Sequence, residues 1–326
     1  MSVPPRVAAP CSTKRPLKVG LQLPITDPWE ETLAMARRAE EVGFDSLWLP
    51  DHLYLKRDQL WITAGRPVPP GVESQPPAGA WETWSLLSAL MMAVPRVAIG
   101  TMVTCTGFRN PALLAKMAET VDAISGGRLI LGLGSGDVAF EHHAFGYPFD
   151  HAVSRFEEAL QIITALLREG ECDFHGTYYE VNDLKMEPRG PRPNGPPILI
   201  GTLATGKRML RLTAQYADLW NGYLCYGRNW PDVLPPLRDA IDAACVTHGR
   251  DPATLGRTIA VRVNLSGETI PGGVEPLEGS PVEIADAIRA YARGGITHLE
   301  TWLVPSTLAG VEAFAPVLVE LDREGA

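Results

Sequence analysis

The feature that most constrains this chain is an alternation. Short apolar runs recur at residues 18–23, 44–49, 97–103, 128–133, 198–201, 218–221, 257–265 and 296–304. Stretches with helical spacing of apolar residues follow them, at 28–42, 81–94, 111–124, 152–168, 207–216, 234–245, 281–292 and 310–323. In the first helical stretch Leu33, Met35, Ala36, Ala39 and Val42 fall on one side, and Gly43 is a natural stop. Runs apolar throughout, rather than alternating, fit strands covered on both faces, as in parallel sheets. Eight such strand–helix units predict an α/β fold, a (β/α)8 TIM barrel. An open doubly wound sheet would more often show a domain break near the middle, and none is visible. Residues 17–326 therefore read as one barrel domain. Residues 1–16, rich in proline and without an apolar signal core, read as a flexible N-terminal tail.

Insertions interrupt the alternation after strands 2, 4 and 7. Residues 53–80 carry Gly65, Pro67, Pro69, Pro70, Gly71, Pro76, Pro77 and Gly79, and no helix or strand of any length fits them. A loop this long beside a strand end reads as a lid. Its Tyr54 and Trp61 either touch a ligand or pin the loop to the body. Residues 137–150 read as a mixed loop, 172–187 as an inserted hairpin or extended excursion, and 271–279 as a second Gly/Pro loop.

Composition excludes some functions. A net charge of -9 argues against nucleic acid and against an anionic membrane surface, while leaving room for a local cationic patch. Five scattered cysteines without a CxxC pair suit free thiols in a reducing cytoplasm and give no metal site. No apolar run approaches the ~20 residues needed to span a bilayer.

Three places carry candidate chemistry. First, Asp51 and His52 stand side by side just past the second strand, at the end where parallel α/β folds assemble active sites. The plain alternative is a turn-capping aspartate and a surface histidine. Second, Gly132-Leu133-Gly134-Ser135-Gly136 ends the fourth strand. It fails as a dinucleotide fingerprint, because the spacing is G-x-G-x-G and Asp137 stands where the third glycine belongs. Its bare backbone would instead let a flat ring approach, with Ser135 as donor and Asp137 as a facing carboxylate. Third, Gly201-Thr202-Leu203-Ala204-Thr205-Gly206 joins a strand to a helix opening with Lys207, which makes an anion site. Arg208 stands where a nucleotide-binding P-loop needs Ser or Thr. Glu141, His142, His143 and His151 lack metal-ligand spacing, and no nucleophile elbow is present.

Taken together, the chain resembles the bacterial luciferase-like flavin and deazaflavin oxidoreductases, from Val19 to about Leu318. The blocks that carry the resemblance are Gly43 to Trp48 with Asp51-His52; Gly100 to Thr104 with Arg109-Asn110-Pro111; Ser125 to Arg128 running into Gly132 to Gly136; Arg155 to Leu160; Gly176 to Tyr179; and Ala217-Asp218. The resemblance implies a (β/α)8 barrel with FMN or the 5-deazaflavin coenzyme F420 at the strand C-termini. The Asp51-His52 pair and an acid directly after Gly-Ser-Gly are similar to the F420-dependent branch. There the histidine assists proton transfer while a hydride moves, and His52 and Asp137 would take the catalytic roles. Family members often carry Glu at the position of Asp137. The branch also carries a bulge in the third strand, often with a non-prolyl cis peptide, and Thr101, Met102 and Thr104 occupy that place. By the same resemblance Asp51, Gly134, Ser135 and Gly136 border the ring. Gly201, Thr202, Leu203, Ala204 and Thr205 would hold the coenzyme phosphate, with Arg109, Arg128 or Lys207 as cationic help. The implied protein is a cytoplasmic homodimer acting on a small molecule by F420-dependent hydride transfer. The alternative is an FMN-dependent monooxygenase.

Overall fold

The structure, a computed structural model, describes residues 15–202 and 206–323. Eight parallel strands close into a barrel. They are Lys18–Gln22, Ser46–Leu49, Ala98–Thr101, Leu129–Gly134, Ile198–Thr202, Leu219–Tyr223, Gly256–Asn264 and His298–Val304, called here the first to eighth strands. The first pairs with the eighth through Val19 and Leu299, and the ring closes where Leu199 of the fifth meets Gly132 of the fourth. Helices Trp29–Val42, Thr83–Ala93, Pro111–Ser125, Ala152–Arg168, Lys207–Tyr216, Leu234–Thr247, Pro281–Arg293 and Leu308–Arg323 pack outside. The expected fold class is met, and most boundaries fall within two residues of those read from periodicity.

Two cores hold it together. The larger lies between strands and helices and takes the outward side chains, such as Val19, Leu47, Ile99 and Leu299, with helix residues such as Leu87, Leu160 and Phe314. The smaller fills the barrel itself, around Trp48, Met102 and Leu199. Trp48 decides two neighbours. A Cβ on Gly20 of the first strand would stand 2.4 Å from its Nε1, and one on Gly100 of the third 2.4 Å from its Cζ3. The indole thus lies across the barrel axis in space that only two glycines leave open. Its N–H donates to Ser46 Oγ at 2.8 Å, and Ser46 Oγ lies 2.7 Å from His298 Nε2. Burying that ring is worth several kcal/mol, on the order of 3–5 by the cost of Trp→Ala in cores. It also closes the barrel on the side of the strand N-termini and leaves the C-terminal mouth for a ligand.

The structure departs from the sequence reading in three places. Residues 53–80 are not free of regular structure: Tyr54–Leu55 pairs with Ala78–Gly79, and Arg57–Thr63 is a helix. Residues 137–150 contain the helix Ala139–Phe145, stopped by left-handed Gly146. Both helices have seven residues, too short for an apolar period to declare itself. The third strand breaks after Thr101 and resumes as Thr104–Cys105 past a cis peptide between Met102 and Val103, the bulge that the resemblance implies. Arg15, read as tail, is anchored: its guanidinium, 3% exposed, donates to Asp322 at 2.6 Å and to the Gly43 carbonyl at 2.7 Å. The hairpin Glu171–His175 with Glu180–Lys185 is present as expected.

Candidate active site

A cavity of about 780 Å³ opens at the C-terminal mouth of the barrel. That volume suits a tricyclic ring together with a small substrate. Its walls come from the ends of several strands: Asp51 and His52 after the second, Met102, Val103 and Cys105 from the third, Gly134 to Asp137 from the fourth, Gly201 and Thr202 from the fifth. The excursion after the second strand forms the roof, with Leu55, Leu60, Trp61 and Thr63 on the cavity. Thr63 donates to the Asp137 carbonyl at 2.9 Å, which ties the roof to the glycine turn. Trp61 is 9% exposed and packs edge-on against Tyr226. Tyr54 stacks on Phe140 instead and pins the excursion to the body.

His52 is the centre of the site. Its Nδ1 lies 2.7 Å from Glu141 Oε1, and the side chain is 19% exposed, opening to the cavity. With Nδ1 engaged, Nε2 is the nitrogen left to meet a ligand. Glu141 is fully buried, and its other oxygen accepts the Leu53 N–H at 2.7 Å. A carboxylate so held fixes both the ring orientation and the tautomer of the histidine, the arrangement that makes an imidazole a dependable proton carrier. Burial works against the charged imidazole. The hydrogen bond and charge of Glu141, with Asp137 and Asp51 behind it, outweigh burial, and the His52 pKa stands above the ordinary histidine value. Glu141 had drawn notice only as part of an acid–His–His run. The usable signal was its position four residues after Asp137, one helical turn along a short helix whose N-terminus adjoins the glycine loop.

Asp137 faces the cavity. Enclosing protein holds its proton more tightly than usual, the His52 charge pulls the other way, and the net shift is upward. Asp51 also lines the cavity, but its carboxylate is committed to protein. It accepts the Cys105 N–H at 2.9 Å and both prongs of Arg109, at 2.5 and 3.0 Å. Its work is to tie the second strand to the interrupted third, a firm support because a two-pronged guanidinium–carboxylate pair fixes geometry. Arg109 further donates to Glu82, so it is not offered to a phosphate. Arg128 donates to the carbonyls of Met91, Val94 and Val97 at the opposite end of the barrel.

The bulge is built by small residues. A Cβ on Gly132 would fall 1.8 Å from the Thr101 carbonyl oxygen, and one on Gly134 would fall 2.6 Å from Val103 Cγ2. Thr101 donates to the Gly132 carbonyl at 2.8 Å and accepts its N–H at 3.1 Å, while Thr104 donates to Thr101 at 2.9 Å. Both threonines are fully buried and absent from the cavity wall. They brace the bulge from behind, and Met102 and Val103 present it. Ser135 and Gly136 complete that wall. Gly201 and Thr202 at the end of the fifth strand and Gly206, the cap of the next helix, reach the cavity, and Lys207 is exposed at that helix's first turn. Leu203, Ala204 and Thr205 lie outside the described residues. His142 belongs to a packed cluster with Phe108 and Phe149, not to a ligand set.

The sequence model of the luciferase-like monooxygenases matches residues 3–268. The chain belongs to that family. Among its relatives is the phthiodiolone/phenolphthiodiolone dimycocerosates ketoreductase of Mycobacterium tuberculosis, 31% identical over 85% of this chain and 72% of that protein. The F420-dependent glucose-6-phosphate dehydrogenase of Kineococcus radiotolerans is 27% identical over 87% of this chain and 90% of that one. A solved F420-dependent secondary alcohol dehydrogenase, in complex with an F420–acetone adduct, superposes with a TM-score of 0.74 at 18% identity over 94% of this chain and 99% of that chain. At that identity the likeness speaks for the fold, and this member of the luciferase-like family has the barrel its family implies.

Proposed function

We propose that this protein is an F420-dependent oxidoreductase that moves a hydride between the deazaflavin ring and a small organic substrate. The observation that carries the reading is the His52–Glu141 pair at 2.7 Å through Nδ1, with the His52 side chain lining a cavity of ring size. The residues fit the group. Met102 and Val103 offer a raised apolar backing, and Gly134 to Gly136 offer backbone bare enough for close approach. Gly206 on the cavity and Lys207, exposed at the first turn of the following helix, offer a positive helix end to an anionic tail. A bound deazaflavin supplies the hydride-carrying carbon.

The chain's own residues supply the rest. His52 holds a proton at Nε2, and Glu141 keeps it available near neutral pH. When a carbonyl oxygen gains charge, that proton is the one within reach, and the reverse reaction returns it to the same nitrogen. Asp137, with its raised pKa, is a second acid or base on the same wall. The roof around Leu60 and Trp61 excludes water. Two of the relatives named above carry F420 dependence in their names, and the ketoreductase name describes a carbonyl reduction.

We read the protein as a cytoplasmic homodimer. No helix among the described residues is long and apolar enough to cross a membrane. An FMN-dependent monooxygenase of the same fold is the competing reading, and it requires dioxygen and a supply of reduced flavin. A non-catalytic flavin carrier is the other. Oxidation of reduced F420 by a panel of aldehydes and ketones separates them. The wild type should turn over, and His52→Ala should lose about a hundredfold to ten-thousandfold in rate. Full rate in His52→Ala would remove the proposed mechanism.

A further inference from the structure

Arg262 carries a charge that the site as described does not use. It lies on the seventh strand, in register with Trp302 on the eighth, and lines the same cavity as His52. It is 6% exposed. Its guanidinium carbon sits 4.1 Å from the Trp302 ring centroid and 5.5 Å from that of Tyr226. Tyr226 in turn meets Trp302 edge-on at 6.2 Å. Among the described residues no carboxylate or carbonyl accepts from its side chain, and its Nε is buried without a partner. Glu300, two residues before Trp302, accepts from Asn221 at 2.9 Å, and Asp137 stands on the fourth-strand turn.

A guanidinium cannot shed its proton at working pH. Buried without an anion it is costly, and aromatic faces compensate only part of that cost. The stacking fixes the plane of the fork and leaves its edge for a planar or tetrahedral oxyanion. Position favours the substrate over the coenzyme. Lys207, exposed at the first turn of the helix after the fifth strand, is the cation proposed for the coenzyme's anionic tail, whereas Arg262 is three strands around the barrel from His52, counting through the first and eighth. We propose that Arg262 anchors an anionic group, a carboxylate or a phosphate, on the substrate whose carbonyl or alcohol carbon is presented beside His52. The inference rests on the reading of the cavity as a hydride-transfer site, and it narrows the substrates to acids or phosphate esters.

The test uses the full chain and matched probes. Levulinate is compared with 2-pentanone, and glycerol 3-phosphate with glycerol. Binding is read by calorimetry and by tryptophan fluorescence, without coenzyme and again with F420. F420 affinity is measured separately by its own fluorescence. The wild type should bind one charged probe roughly tenfold to a hundredfold more tightly than its neutral partner, and the pair that shows it tells carboxylate from phosphate. Arg262→Gln should abolish that preference with F420 affinity unchanged. Arg262→Lys, which keeps the charge and loses the fork, should retain only a fraction of it and decides the matter if the glutamine variant fails to fold. No preference in the wild type, or a preference undiminished in both variants, overturns the inference. Normal F420 binding alongside that result leaves the proposed function standing. Absent F420 binding alongside a clear anion preference defeats the function and not the anion site.

Discussion

Replacing Glu141 with glutamine tests the device on which the site depends. The substitution keeps size and one acceptor oxygen for the Leu53 N–H, and it removes the charge opposite His52. At 2.7 Å and with Glu141 fully buried, the contact is a charge-assisted hydrogen bond with little solvent screening. Such bonds contribute about 1.5–3 kcal/mol. At any fixed pH near the midpoint, the ratio of imidazolium to imidazole at His52 should therefore fall roughly tenfold to a hundredfold. Burial, the largest influence on this group, is then opposed only by the charges of Asp137 and Asp51, and the pKa falls. The sign for stability follows. His52 titrates higher in the folded protein than unfolded, so its contribution is complete below the unfolded pKa and vanishes as pH rises through the folded one. Glu141→Gln should remove that pH dependence. The assay is a ¹H–¹³C NMR titration of the seven histidines, the His52 signal being the one missing in His52→Ala. A His52 midpoint that does not move in Glu141→Gln refutes the reasoning, because the geometry leaves no other large source for the upward shift.

Three further outcomes follow from the barrel interior. Burial holds the Glu300 carboxyl far above its usual range, so the folded state keeps a proton that the unfolded chain releases, and stability should fall as pH rises above the unfolded value; Glu300→Gln should flatten urea-denaturation free energies between pH 5 and 8, and an unchanged slope contradicts this. Gly132→Ala drives a Cβ into the Thr101 carbonyl and should cost about 3 kcal/mol in urea melts, together with cofactor binding; a loss under about 0.5 kcal/mol would show that the bulge yields freely. Gly100→Ala should destabilise through the Trp48 ring, and in a double-mutant cycle Trp48→Phe should reduce that penalty; strict additivity would place the clash elsewhere.

The barrel was legible because buried parallel strands announce themselves as apolar runs and their helices as a period. His52, Asp137 and the glycines were legible because chemistry at strand C-termini falls just after those runs. What stayed hidden was long-range. Glu141 is 89 residues from His52 along the chain and meets it through a seven-residue helix whose period is too short to read. Arg262 sits inside the seventh strand between Val261 and Val263, and only the closed barrel shows that its side chain lines the cavity. Thr101 and Thr104 were placed at the ring by their position in the third strand. The strand break turns their hydroxyls toward each other and toward Gly132, behind the surface that Val103 presents. Asp51 reaches the same cavity wall as its neighbour His52, but its carboxylate is taken by Arg109 and the Cys105 N–H, partners 58 and 54 residues away that the sequence does not bring to it.

Parallel fluorescence titrations of the purified protein with F420 and with FMN address the central claim, that a deazaflavin ring occupies the barrel mouth beside His52. F420 should bind saturably at one site per chain, with FMN binding more weakly and being displaced by F420. Tighter binding of FMN, or saturation by neither, would contradict it.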